Sequence, residues 1–172
     1  MRDFASKFAA VNINYMLTGS VAMNFYAQPR MTRDIDIVIE LSAQDVGKII
    51  AACAAEYYVA RESVERAVAR RSMFNIIHNE TIIKVDCIVR KNEPYRRTEF
   101  ARRRQVKISD FTTWIVSRED LIISKLVWAK DSRSEMQLRD VRNLLTGGYE
   151  EGYINEWMTK LGLSELWQQV KI

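Results

Sequence analysis

Histidine and cysteine are scarce in this chain of 172 residues: His78 stands alone, and the only thiols are Cys53 and Cys87. Two cysteines build no disulfide framework, and neither sits at a metal-ligand spacing. Both are expected to be reduced and packed as small apolar groups, which places the chain in the cytoplasm. A single histidine beside a turn reads as a satisfied polar residue rather than a catalyst. Proline occurs only twice, at Pro29 and Pro94, and both fall where elements should break. Long apolar runs are missing as well. The longest, Ile49 to Ala55, is far too short to cross a bilayer. Arg2, Asp3 and Lys7 have no long apolar segment behind them, so neither a signal peptide nor a membrane partner is expected. Internal repeats, low-complexity tracts and Pro- or Ser-rich linkers are absent too.

What remains is a chain with 48% hydrophobic and 28% charged residues, the balance of a soluble globular protein. Its length suits one compact domain spanning 1–172. Strand-like patterns dominate residues 1–115 and helical ones 116–172, so the expectation is an α+β domain: a sheet-containing core followed by a helical C-terminal subdomain. "DIDIVIEL", from Asp34, alternates in the period of two that marks a strand. "MFNIIH" and "TIIKVDCIVR" read as two strands joined by a tight turn at "NE". "VKISDFTTWIV" leans strand. Residues 43–56 and 63–70 look helical. Ser117 and Asp120 stand at capping-box spacing before a helix, "SEMQLRDVRNLLTGG" is a second helix, and two more follow near 151–160 and 164–170. The four tryptophans, Trp114, Trp128, Trp157 and Trp167, read mostly as packing residues.

The net charge is +4 and the pI about 9.1, but the distribution says more. Residues 90–107, "RKNEPYRRTEFARRRQVK", carry eight basic and two acidic side chains, which suits either a polyanionic partner or a solvated helix face.

The carboxylates of the first strand carry the chemistry. In a strand, residues i and i+2 share a face roughly 6 to 7 Å apart at Cα, so Asp34 and Asp36 project together while Ile35, Ile37 and Ile39 point the other way. Adjacent carboxylates raise each other's pKa, and a cation between them removes that penalty. Hard oxygen ligands suit Mg²⁺ or Mn²⁺. Asp86, between Val85 and Cys87, is a third candidate if its strand neighbours the first. Three carboxylates can hold two metal ions about 4 Å apart for in-line displacement at phosphorus. A polar face of an ordinary antiparallel strand would explain the same residues without chemistry. Gly19-Ser20 follows a strand and opens a helix, which makes either a phosphate site or a plain N-cap.

Together these parts resemble the nucleotidyltransferase superfamily related to DNA polymerase beta. "GS" at 19–20 is followed by thirteen residues, then "DIDI" at 34–37 and "VD" at 85–86. Thr18 departs from the pattern, which prefers an apolar residue there. The likeness is closest to stand-alone minimal and abortive-infection toxin-type nucleotidyltransferases. It is carried by "GSVAMNFYAQPRMTRDIDIVI", with Arg30-Met31-Thr32 before the aspartates, and by "EDLIISKLVWAKDSRSEMQLRD", with Lys125 and Asp140. The resemblance covers most of residues 15 to 145. It implies a mixed β-sheet flanked by helices and a metal-dependent transfer of a nucleoside monophosphate from an NTP, such as ATP, to a hydroxyl on tRNA, other RNA or a small molecule. It implies Asp34, Asp36 and Asp86 as catalytic metal ligands for Mg²⁺ or Mn²⁺. Gly19, Ser20, Arg33 and Lys125 would hold the nucleotide phosphates, with support from Arg30, Thr32, Lys84 and Asp140. A cognate antitoxin protein is an implied partner. Two other readings stay open: a non-catalytic nucleotide- or protein-binding module of the same fold, and a two-metal nuclease or phosphatase.

Overall fold

The computed structural model describes residues 1–32 and 34–171. Helix α1 (Arg2–Ala10) leads into strand β1 (Tyr15–Thr18), helix α2 (Gly19–Tyr26) and strand β2 (Asp34–Ile39). A 3-10 turn (Ala43–Asp45) runs into α3 (Val46–Cys53), followed by β3 (Tyr57–Tyr58), α4 (Arg61–Arg70), β4 (Met73–His78) and β5 (Lys84–Val89). Then come α5 (Pro94–Ala101), β6 (Arg104–Ile108), β7 (Phe111–Ile115), α6 (Arg118–Ser132), α7 (Glu135–Leu144), α8 (Glu151–Lys160) and α9 (Ser164–Val170).

The strands form one mixed sheet in the order β3-β4-β5-β2-β1-β7-β6. Two pairings are parallel, β2 with β5 and β1 with β7; the others are antiparallel. The alternation in "DIDIVI" works as the sequence implies: Ile37 and Ile39 are fully buried, while the aspartates keep solvent access. Val85, Cys87 and Val89 bury beside them on β5. Both thiols are buried and unpaired, in keeping with their reading as small apolar groups. Helix α3 packs against both α1 and α4, α1 packs on β7 and α4 on β4 and β5, and α2 joins the sheet to α6 and α7. Pro94 occupies the first turn of α5, where its missing N–H costs nothing.

Several local expectations need correction. Residues 43–56 begin as a 3-10 turn and stop being helical at Cys53. The fourth helix starts two residues earlier than its apolar pattern suggests, at Arg61. The link between β4 and β5 is longer than "NE" and runs over residues 79–83; the His78 Nδ1 accepts hydrogen bonds from the Glu80 and Thr81 backbones there at 3.2 Å. "VKISDFTTWIV" is not one strand but the hairpin β6–β7, folded at Ser109 with φ +55°. The two-residue strand β3 had no sequence signal of its own.

Helix α6 is anchored as its cap predicts. The Ser117 hydroxyl accepts from the Asp120 N–H at 3.1 Å and donates to the Asp120 carboxylate at 2.6 Å. Among the described residues, no helix is long and apolar enough to cross a membrane.

Candidate active site

Register decides which aspartates meet. Parallel pairing of β2 and β5 sets Asp36 opposite Asp86 and Asp34 opposite Lys84. Antiparallel pairing of β1 and β2 sets Thr18 opposite Asp36. One face of β2 and β5 therefore reads in rows: Asp34 with Lys84, Asp36 with Asp86, then Val38 with Ile88. The opposite face carries Ile35, Ile37, Val85 and Cys87 and closes on the core. The odd-even rule that buries the isoleucines is the same rule that gathers the carboxylates.

Asp36 is the strained member. Burial raises its pKa first, and the charges of Asp86 and Asp34 raise it further; a hydrogen bond from the Ser20 backbone works against them. The turn into α2 makes that bond possible. Gly19 has φ +60°, and a Cβ there would lie 2.0 Å from an Asp36 carboxylate oxygen. Only glycine lets the helix start come this close.

Asp86 is buried but satisfied. The Asn75 amide, its cross-strand neighbour on β4, donates to one carboxylate oxygen, and Lys84 donates to the other at 3.1 Å. Lys84 also lies 3.7 Å from Asp34. Asp34 itself is exposed, and the Thr32 hydroxyl donates to its backbone carbonyl at 3.2 Å.

A second charged chain runs beside the carboxylates. Lys125, 3% exposed on α6, donates to the Asp140 carboxylate at 2.7 Å and to Gln137 at 3.0 Å. Arg30 reaches Asp140 at 3.1 Å and the Ser20 hydroxyl at 2.6 Å. Burial pulls the Lys125 pKa down, and Asp140 only partly offsets this. Burial alone would raise Asp140, but hydrogen bonds from Arg30 and Lys125 outweigh it and hold its carboxyl below the ordinary value. Asp140 therefore ties both cations to the start of α2. Arg33 lies outside the described residues.

A cleft of about 320 Å³ opens beside Asp36 and Lys125. Gly19, Asp36 and Lys125 line it, Val38, Ile88 and Leu121 add apolar wall, and Arg90, Lys91 and Arg96 supply cations. Trp128 also lines the cleft and is 54% exposed, so it is not a packing residue as its helical spacing suggested. Of the others, Trp167 is buried and Trp114 and Trp157 are half-buried.

The basic run 90–107 serves several purposes. Arg90 pairs with Glu40, Arg96 with Glu99, and Arg102 with Asp120 and Glu150. Arg103 stacks on Phe100 and Trp114. Arg97, Arg104 and Lys107 remain exposed.

Among the described residues, no three acidic, cysteine or histidine side chains are drawn together tightly enough to hold a metal ion as they stand. The donor chemistry nevertheless fits a hard divalent cation: three carboxylates share one strand face, and Asp36 faces like charges on two sides. Sequence reasoning missed Asn75 and Gln137. Asn75 had a faint signal, since its parity along "MFNIIH" is opposite to the buried Phe74 and Ile76.

A family model described as "Nucleotidyl transferase AbiEii toxin, Type IV TA system" matches residues 4–153. No curated protein matches the chain. Among solved structures, the antibiotic-resistance factor ANT(2'')-Ia aligns at 15% identity and TM-score 0.60, over 97% of this chain and 94% of that one. An antigenic nucleotidyltransferase-like protein from Paracoccidioides brasiliensis aligns at 14% identity and TM-score 0.60, over 98% of this chain and 88% of that one. The lincosamide antibiotic adenylyltransferase LnuA aligns at 16% identity and TM-score 0.52, over 80% and 89%. At these identities the likeness speaks for the fold.

Proposed function

Because the chain belongs to the AbiEii family of nucleotidyl transferase toxins, we propose that it transfers a nucleoside monophosphate from an NTP to an acceptor hydroxyl and releases pyrophosphate. The observation that carries this reading is the row of Asp36 and Asp86, side by side on parallel strands, with the Gly19 turn pressed against Asp36.

Asp34, Asp36 and Asp86 would hold the divalent cation. When bound, Mg²⁺ or Mn²⁺ supplies activation of the acceptor oxygen and neutralises charge on the leaving phosphates. The chain's own groups do the positioning. The backbone at Gly19 and the Ser20 hydroxyl receive the triphosphate at the start of α2. Arg30 and Lys125 bring positive charge to it, and Asp140 aims both. Thr32 holds the Asp34 backbone at the start of β2. The acceptor oxygen attacks the α-phosphorus, and the bond to the bridging oxygen of the pyrophosphate breaks. Fixed charges placed before reaction stabilise that transition state. Residues 1–115 would form the catalytic core. The helical part, 116–172, contributes Lys125 and Asp140, so the site spans both.

For the acceptor we favour RNA, because Lys91 in the cleft and Arg97, Arg104 and Lys107 on the same basic segment remain exposed. A toxin of this kind is expected to work in the cytoplasm beside a cognate antitoxin.

Incubation with NTPs labelled at the α-phosphate and total cellular RNA tests the proposal. Covalent label that disappears in Asp36→Asn supports transfer. Degraded RNA would indicate a nuclease, and no label on any acceptor would indicate a binding module. Binding to bulk tRNA that ignores salt would turn the reading toward a small-molecule acceptor.

A further inference from the structure

Lys84 sits where a cation is wanted. Its ammonium lies 3.1 Å from Asp86 and 3.7 Å from Asp34, on the face those carboxylates share with Asp36. The register places it there: Lys84 is the parallel-strand partner of Asp34 and stands two residues before Asp86. Asn75 takes the other oxygen of Asp86. Both oxygens of that carboxylate are thus engaged by the chain itself, while Asp36 meets two like charges, offset in part by a Ser20 backbone hydrogen bond and the more distant charge of Lys125.

We infer that Lys84 is a resident counter-ion that competes with the divalent cation for Asp34 and Asp86. Without metal, its ammonium offsets the repulsion among the three carboxylates and stabilises the strand pairing that gathers them. When a divalent ion binds, Lys84 must leave. Its side chain is 40% exposed, so it can swing to solvent without opening the core. Asn75 is neutral and stays as a positioning residue for Asp86. The arrangement makes metal loading an exchange of one cation for another rather than entry into a bare anionic site. The inference rests on the reading of Asp34, Asp36 and Asp86 as cation ligands.

Mn²⁺ binding measured by electron paramagnetic resonance on the full chain, without nucleotide, tests it independently of activity. Lys84→Met should bind Mn²⁺ about threefold or more tighter than wild type, the size expected for removing a partly exposed competing charge. In EDTA the same variant should unfold at a lower temperature than wild type. Lys48→Met controls for the loss of an exposed lysine paired elsewhere, with Asp45, and should match wild type in both measurements. Equal or weaker Mn²⁺ affinity in Lys84→Met overturns the competition, and an unchanged unfolding temperature in EDTA overturns the counter-ion role. If neither wild type nor Lys84→Met binds Mn²⁺, the metal reading itself falls.

Discussion

Asp36 and Asp120 are the same residue type under opposite conditions. Asp120 is fully buried at the head of α6, yet it has partners all round: the Ser117 hydroxyl at 2.6 Å, Arg102 at 3.2 Å and the Tyr153 hydroxyl at 2.7 Å. Asp36 is only half-buried, yet it faces two like charges and takes one backbone hydrogen bond. Burial therefore does not separate the two carboxylates; the supply of partners does. Asp120, with its hydrogen bonds met by groups held in place by the fold, ties the head of α6 to α5 and α8. A carboxylate left short of partners costs stability and keeps its oxygens available.

The contrast can be broken most sharply at the working end. Asp36→Asn should reduce nucleotide transfer about a thousandfold, as loss of a charge acting in the transition state does; label incorporation under saturating NTP would show it. At the structural end, Asp120→Ala leaves the Ser117 and Tyr153 hydroxyls without their acceptor and takes one of the partners of Arg102; it should cost about 3 kcal/mol of unfolding free energy, read from urea denaturation. If Asp36→Ala destabilised the chain as much as Asp120→Ala, the distinction would be lost. Smaller again is Gly19→Ala. Left-handed backbone at φ +60° penalises alanine by about 1–2 kcal/mol, and the new methyl must displace Asp36, so transfer should fall more than stability does. The finest test uses pH. Asp36 has its pKa raised above the ordinary 3.8. Its contribution to stability is therefore fully present below that value and lost as pH rises through the folded pKa. In EDTA, Asp36→Asn should match wild type in acid and melt higher at neutral pH, because asparagine mimics the protonated form. A gap that shrinks toward neutral pH would reverse the assignment.

Period-two alternation made much of this visible in advance. It fixed the parity of Asp34, Asp36, Lys84 and Asp86, and parity is all that is needed once β2 and β5 lie side by side. That they do so, and in parallel, was beyond the sequence, since strand neighbours are chosen by packing across the whole core. Ser117 announced α6 because a cap is a local device. The hairpin at Ser109 was hidden because its turn uses no glycine, and a serine in left-handed backbone leaves no compositional mark. Trp128 misled for a related reason: its spacing fits a buried stripe, but the neighbouring surface is a cleft rather than another helix. The positive run 90–107 looked uniform and is not, because Arg102 and Arg103 are consumed by Asp120, Glu150, Phe100 and Trp114. Composition reports charge, not what has already claimed it.

The parallel union of β2 with β5 also sets a timetable. Between them the chain makes two helices and two further strands, and Lys125 and Asp140 come later still. During translation Asp36 leaves the ribosome long before Asp86, and Lys125 on α6 and its α7 anchor, Asp140, emerge after both. The candidate site is therefore complete only once Asp140 has been made, and any shorter copy lacks part of it.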